Sequence, residues 1–185
     1  MIVGLVFLVL IVVVVFWMMG IYNGLVGSRN EVKNSWSQIE VQLKRRHDLI
    51  PNLVETVKGY MGHERGTLEA VTKARQQAVD LTGSVEERAK VENVLSQTLR
   101  SLFAVAEAYP DLKANQNFLA LQEELTSTEN KIGFARQYYN DAVLRLNNKI
   151  QMFPSNIIAG MFNFQPETFF QVEAPEDRQV PQVKF

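Results

Sequence analysis

Four polar residues stand in a pattern that invites catalytic chemistry: His47 beside Asp48, then His63 beside Glu64. An imidazole next to a carboxylate can hold zinc or move a proton, and a His-Glu pair on a helix is how the metal motif of zinc proteases begins. That motif needs a second histidine one turn further on, where this chain has Thr67. His47 and His63 are also far apart along one helical segment, so they are expected to cap or to be solvated rather than to ligate. Gly59, Gly62 and Gly66 follow a helix and are not succeeded by the Lys-Ser/Thr of a phosphate loop. No serine sits in a nucleophile-elbow pattern, and the absence of cysteine removes thiol chemistry and any disulfide framework. The expectation is a non-enzyme with no catalytic residue, no metal and no cofactor.

The elements that carry these residues begin with an apolar run. From Ile2 to Met19 there is no charged residue, and Ile2 to Ile21 is long enough to cross the hydrocarbon core, which takes about 20 residues for about 30 Å. Trp17 and Tyr22 fall where aromatic side chains favour the interface. A cleaved secretory signal would need a basic start, a shorter apolar core and a small-x-small site, and this chain lacks all three, so the span is read as retained. Nothing basic precedes it, whereas Arg29 and Lys33 follow, with Lys44, Arg45 and Arg46 beyond. That asymmetry predicts a single-pass membrane protein with its N-terminus outside and its body cytoplasmic.

The rest of the 185 residues has helical periodicity. Phe118, Leu121, Leu125, Thr128, Ile132, Ala135, Tyr139, Ala142 and Leu146 alternate steps of three and four, and Ile150 and Phe153 continue the stripe. The helix ends before Pro154 and is roughly 50 to 60 Å long at 1.5 Å per residue. Ser84 and Glu87 form a capping box for a second helix whose face comprises Val91, Val94, Leu95, Leu99, Leu102, Val105 and Ala106, and which Pro110 ends. Trp36, Ile39, Leu43, Ile50, Leu53, Val57, Tyr60, Leu68 and Val71 mark an earlier segment. Pro51 interrupts it, so that either Asp48 caps a new helix or one helix bends there.

Short connections at Thr82-Gly83 and Pro110-Asp111 make neighbours antiparallel, and the fold class is all-α: an N-terminal transmembrane helix and an up-and-down bundle of four-helix type. The expected organisation is an anchor over 1–22, a bundle over 23–153 and a tail over 154–185. That tail is rich in aromatics, lacks a sustained helical period and is cut by Pro166, Pro175 and Pro181. Phe162, Phe164, Phe169 and Phe170 are expected to pack on the bundle's end, on a neighbouring subunit or on lipid.

With 19 Lys and Arg against 20 Asp and Glu, the net charge is −1 and nucleic acid is not an expected partner. The polar residues Arg46, Asp48, Asn52, Glu55 and Lys58 on the early segment, and Glu129, Asn130, Arg136, Tyr139 and Asn140 on the long helix, are candidates for a shared face. They would either fix bundle register or form a polar groove or subunit contact. Gly20 and Gly24 form a small-xxx-small pair at the end of the span, which is one support for a homo-oligomer.

The stretch Arg46-His47-Asp48-Leu49-Ile50-Pro51-Asn52-Leu53-Val54-Glu55-Thr56-Val57-Lys58-Gly59-Tyr60, with His63-Glu64 after it, resembles the signature of the bacterial LemA family. Tyr109-Pro110-Asp111-Leu112-Lys113-Ala114-Asn115 agrees, as do Thr128-Glu129-Asn130, Ala135-Arg136 and Tyr139-Asn140. Phe153-Pro154-Ser155-Asn156-Ile157-Ile158-Ala159 and the closing Val183-Lys184-Phe185 complete the set. The resemblance implies a single-pass membrane protein with an antiparallel four-helix-type bundle. It also implies scaffold or adaptor work at a membrane, with a membrane-embedded metalloprotease as a possible partner.

Overall fold

The computed structural model describes residues 2–171, and every regular element among them is a helix. These are α1 (Ile2–Lys58), α2 (Arg65–Asp80), α3 (Val85–Ala106), α4 (Pro110–Lys113), α5 (Gln116–Gln151) and α6 (Ser155–Met161). Pro175, Pro181 and the closing Val183-Lys184-Phe185 lie outside the described residues. The described residues form two compact units, one of residues 2–41 and 133–169, the other of residues 42–132 and 170–171.

In the first unit, residues 2–17 of α1 are all exposed and burial begins at Met18. This is a helix long and apolar enough to cross a membrane, with none of its apolar window covered by protein. Such a surface has no favourable place in water and an ordinary one in lipid. Beyond it, α1 and α5 run antiparallel, as three ties show. Lys149 Nζ donates to Ser28 Oγ at 2.7 Å, Arg145 pairs with Glu31 at 2.8 Å, and the Trp36 and Tyr139 rings meet edge-on at 5.5 Å. The hydrogen bond from Tyr138, then that from Arg145, hold the Glu31 carboxyl below its ordinary pKa.

The second unit is built around Ile50, Leu53, Val57, Leu95, Leu102 and Phe118, one buried cluster drawn from α1, α3 and α5. The capping box of α3 is present: Ser84 N donates to Glu87 Oε2 at 2.8 Å and Glu87 N to Ser84 Oγ at 3.2 Å. Asn115 caps α5, its Oδ1 accepting from the backbone of Asn117 and Phe118. The stripe on α5 is covered from Phe118 to Ile150, but Phe153 is 78% exposed because the helix has stopped at Gln151. After Pro154, where no helical period was expected, residues Ser155–Met161 form the short helix α6.

α1 does not restart at Asp48, which is exposed in mid-helix; it continues through Pro51 to Lys58. Proline has no N–H, so the carbonyl four residues back, that of His47, loses its helical partner. Arg75 on α2 replaces it, its Nε donating to the His47 carbonyl at 2.7 Å. Replacing Arg75 by Met should therefore cost about 1–3 kcal/mol, the usual penalty for an orphaned carbonyl. In a Pro51→Ala background, where a backbone N–H returns, the cost should shrink. Denaturant unfolding of the detergent-solubilised chain measures both, and an equal cost in the two backgrounds would remove this account.

Candidate functional site

His47 and the residue before it, Arg46, are where the second unit is tied together. α1 presents Arg46 inward, 1% exposed, between α3 and α5. Its guanidinium donates to Glu92 at 2.5 Å and to Ser96 Oγ at 2.8 Å on α3, and it pairs with Glu129 on α5. Ser96 Oγ in turn donates to Glu129 at 3.2 Å. Buried charge is tolerable when it is paired, and two carboxylates and a hydroxyl answer the two terminal nitrogens of this guanidinium, while its Nε is buried without a hydrogen-bond partner.

Glu92 is itself buried. Burial alone raises its carboxyl, but the hydrogen bond from His47, the charges of Arg46 and His47 and the hydrogen bond from Arg46 outweigh it and hold it below the ordinary value. An ionised carboxylate only accepts, so the His47 Nε2 that lies 3.0 Å from Glu92 Oε1 carries a proton and donates it. His47 is thus buried and partnered, not a capping or solvated histidine as its sequence context implied. His63 is exposed. Among the described residues no three His, Cys, Asp or Glu side chains gather as a metal site would require.

Of the ten candidate face residues, Arg46 and Glu129 meet. Asp48, Asn52, Glu55, Lys58 and Asn130 are exposed, with Glu55 and Lys58 paired along the helix at 3.6 Å. Tyr139 lies in the first unit, where its hydroxyl donates to the Thr168 carbonyl at 2.9 Å and burial, then Glu167, raise it to about 12. Arg136 and Asn140 are half-buried in the same unit. Among the tail aromatics, Phe164 and Phe170 are buried, Phe169 is half-buried and Phe162 is exposed. Glu92, Ser96 and Arg75, which complete the network, were not among the residues the sequence singled out. A charged residue on the inward phase of α3, where Val94 faces outward at 48% exposure, was the available signal for Glu92.

Ile50, Pro51, Val54, Glu55 and Lys58 of the signature border a groove of about 1010 Å³ along the end of α1 and α2. Pro51, Val54, Met61 and Leu68 contribute its apolar surface, and Lys58, Glu69 and Lys73 its charged rim. Beside it the sequence blocks meet one another. Asn115 Nδ2 donates to the Tyr60 hydroxyl at 3.0 Å and the Tyr109 hydroxyl donates to Glu64 at 3.4 Å. The arrangement provides a recessed apolar surface on a frame held by a buried ion network, the kind of surface that receives a protein segment.

A family model described as the LemA family matches residues 35–185. Protein LemA of Metamycoplasma hominis is 28% identical over 174 residues, covering 92% of this chain and 78% of the relative. Magnetosome protein MamQ 2 of Paramagnetospirillum magneticum is 22% identical over 181 residues, covering 84% of this chain and 66% of the relative. Magnetosome protein MamQ of Magnetospirillum gryphiswaldense is 20% identical over 189 residues, covering 88% and 70%. This chain therefore spans a little under two thirds of MamQ 2. None of these names denotes an enzyme.

The ion network carries a pH dependence whose sign follows from Glu92. Its folded pKa lies below the ordinary 4.5, so on acidification the unfolded chain takes up the proton first. The stability it contributes is fully present above the unfolded value and is lost as pH falls through the folded one. Glu92→Gln should flatten the acid limb of a stability-against-pH curve between those two values. Arg46→Met, which removes the guanidinium from between Glu92 and Glu129, should cost about 3–5 kcal/mol at neutral pH. Denaturant midpoints of the solubilised chain measured across pH check both statements.

Proposed function

The chain belongs to the LemA family, and from that premise we propose that it is a non-enzymatic, single-pass scaffold that self-associates and organises proteins at the bacterial inner membrane. The observation that carries this reading is the pairing of two surfaces in one chain. Residues 2–17 are apolar and all exposed, which suits lipid, and the signature borders an open groove, which suits a protein segment. The first supplies location and the second a contact. Arg29 and Lys33 just after the span favour a cytoplasmic body. Relatives named as magnetosome proteins support work at a membrane-bound assembly.

The groove also favours a second reading, in which the protein is an adaptor that presents or restrains substrates of a membrane-embedded metalloprotease. A client segment would then lie along Pro51 and Val54, over the buried Leu68.

Brief crosslinking in cells, extraction in mild detergent, and sizing with mass spectrometry of the recovered complex separate the two. A large assembly in which this chain is the main component is the expected result. Reversing the rim charges with Lys58→Glu and Lys73→Glu, both exposed positions, should reduce it without unfolding the chain. Stoichiometric recovery of a protease would replace the scaffold by the adaptor, and a strict monomer without partners would defeat both.

A further inference from the structure

From Ile150 to Pro166 the chain carries no charged residue, although it lies in the exposed, non-spanning part of the sequence. α6 divides this stretch into two faces. Ile158 and Ala159 point inward, and with Phe164 they form one buried cluster with Leu25, against which Met18, Ile21, Tyr22 and Val26 of α1 pack. The positive φ of Asn163, 52°, turns the chain after α6 so that Phe164 can return to that cluster. Phe153, Ile157, Met161 and Phe162 face the other way and are exposed, Met161 at 64%.

The level of this outward face is set by its partners on α1. A span of about 20 residues starting at Ile2 reaches Ile21, and α6 is seated on the turns from Met18 to Val26. The Phe162 ring lies 4.6 Å from that of Tyr22, a residue placed at the membrane exit. The cations adjoining the cluster suit the same level. Lys149, the last charged residue before the uncharged stretch, bonds to Gly24 O and Ser28 Oγ, and the Arg29 guanidinium lies 5.0 Å from the Phe164 ring centre. Lysine and arginine beside an aromatic-rich apolar face are what the headgroup region accommodates.

We propose that α6 and its flanks are a second membrane contact, a foot that seats Phe153, Ile157, Met161 and Phe162 in the headgroup and acyl boundary beside the point where α1 leaves the bilayer. The proposal rests on reading α1 as a membrane span. Its occupant is lipid, not a second copy of the chain, because the outward face is continuous with the Met18–Val26 turns, which are themselves at the lipid boundary. One anchor leaves a helical body free to tilt and rotate about its exit point; a lateral foot on the same surface restricts both.

The chain has no cysteine, so single cysteines can be introduced and spin-labelled in the full-length protein. The positions are Phe16→Cys in the span, Ile157→Cys and Phe162→Cys on the foot, and Val94→Cys on α3, all exposed and so tolerant of a label. In phosphatidylethanolamine–phosphatidylglycerol vesicles, the collision rate with oxygen relative to a water-soluble nickel chelate reports depth. Ile157 and Phe162 should give ratios several-fold above Val94 and nearer to Phe16. Water-like ratios at both foot positions, with Phe16 lipid-like, would overturn the foot and leave the span intact. Spin–spin broadening between copies at a water-like Ile157 label would assign the face to a second chain instead. A water-like Phe16 would overturn the span reading, and the foot with it.

Discussion

A buried guanidinium is the interaction on which the signature-bearing unit depends. Arg46 brings a full positive charge beside a core of aliphatic and aromatic side chains, and a charge there is tolerable only if partners on other helices arrive with it. Glu92 and Ser96 bring α3, and Glu129 brings α5. The adjacent residue, His47, extends the network to Glu92 through its ring and to α2 through its carbonyl, which accepts from Arg75. Two consecutive residues of one helix thereby set the register of three others. Apolar packing alone would tolerate sliding by a turn, whereas a charge network is satisfied in one register.

Pro51 gains its meaning from this arrangement. In an isolated helix it costs a hydrogen bond and invites a break. Here the freed carbonyl is answered by a side chain from the neighbouring helix, so the proline becomes a point of attachment between α1 and α2, and the groove opens beside it. The recessed surface and the network meet at Arg75, and the signature on α1 supplies buried polar groups to the one and exposed residues to the other. Arg46 and His47 hold the frame, while Pro51, Glu55 and Lys58 border the opening.

Much of the fold was legible in the residue pattern because helices are local. The Ser84 and Glu87 capping box, the halt before Pro110 and the stripe from Phe118 each depend on neighbours within about four positions, and the structure has all three. The candidate site was legible only in part. Arg46 and Glu129 stand out on different helices and do meet, but Glu92 does not stand out, because the apolar residues of α3 phase Val94 inward. In the structure Val94 is exposed and Glu92 is buried. His47 was misjudged for the same reason: a lone histidine in a charged stretch looks solvated until the carboxylate that buries it is known.

By itself, the sequence determined that this chain has an apolar segment able to cross a membrane, that the remainder is helical, and where several of its helices begin and end, since those properties arise from composition and short-range periodicity. Tertiary structure alone decided which polar residues turn inward, what replaces the hydrogen bond missing at Pro51, and that the aromatic stretch after Pro154 folds into α6 against the Met18–Val26 turns of α1. The reason is physical. Each of those outcomes is a balance between desolvation and pairing with a group dozens of residues away, and neither side of that balance exists until the helices have packed.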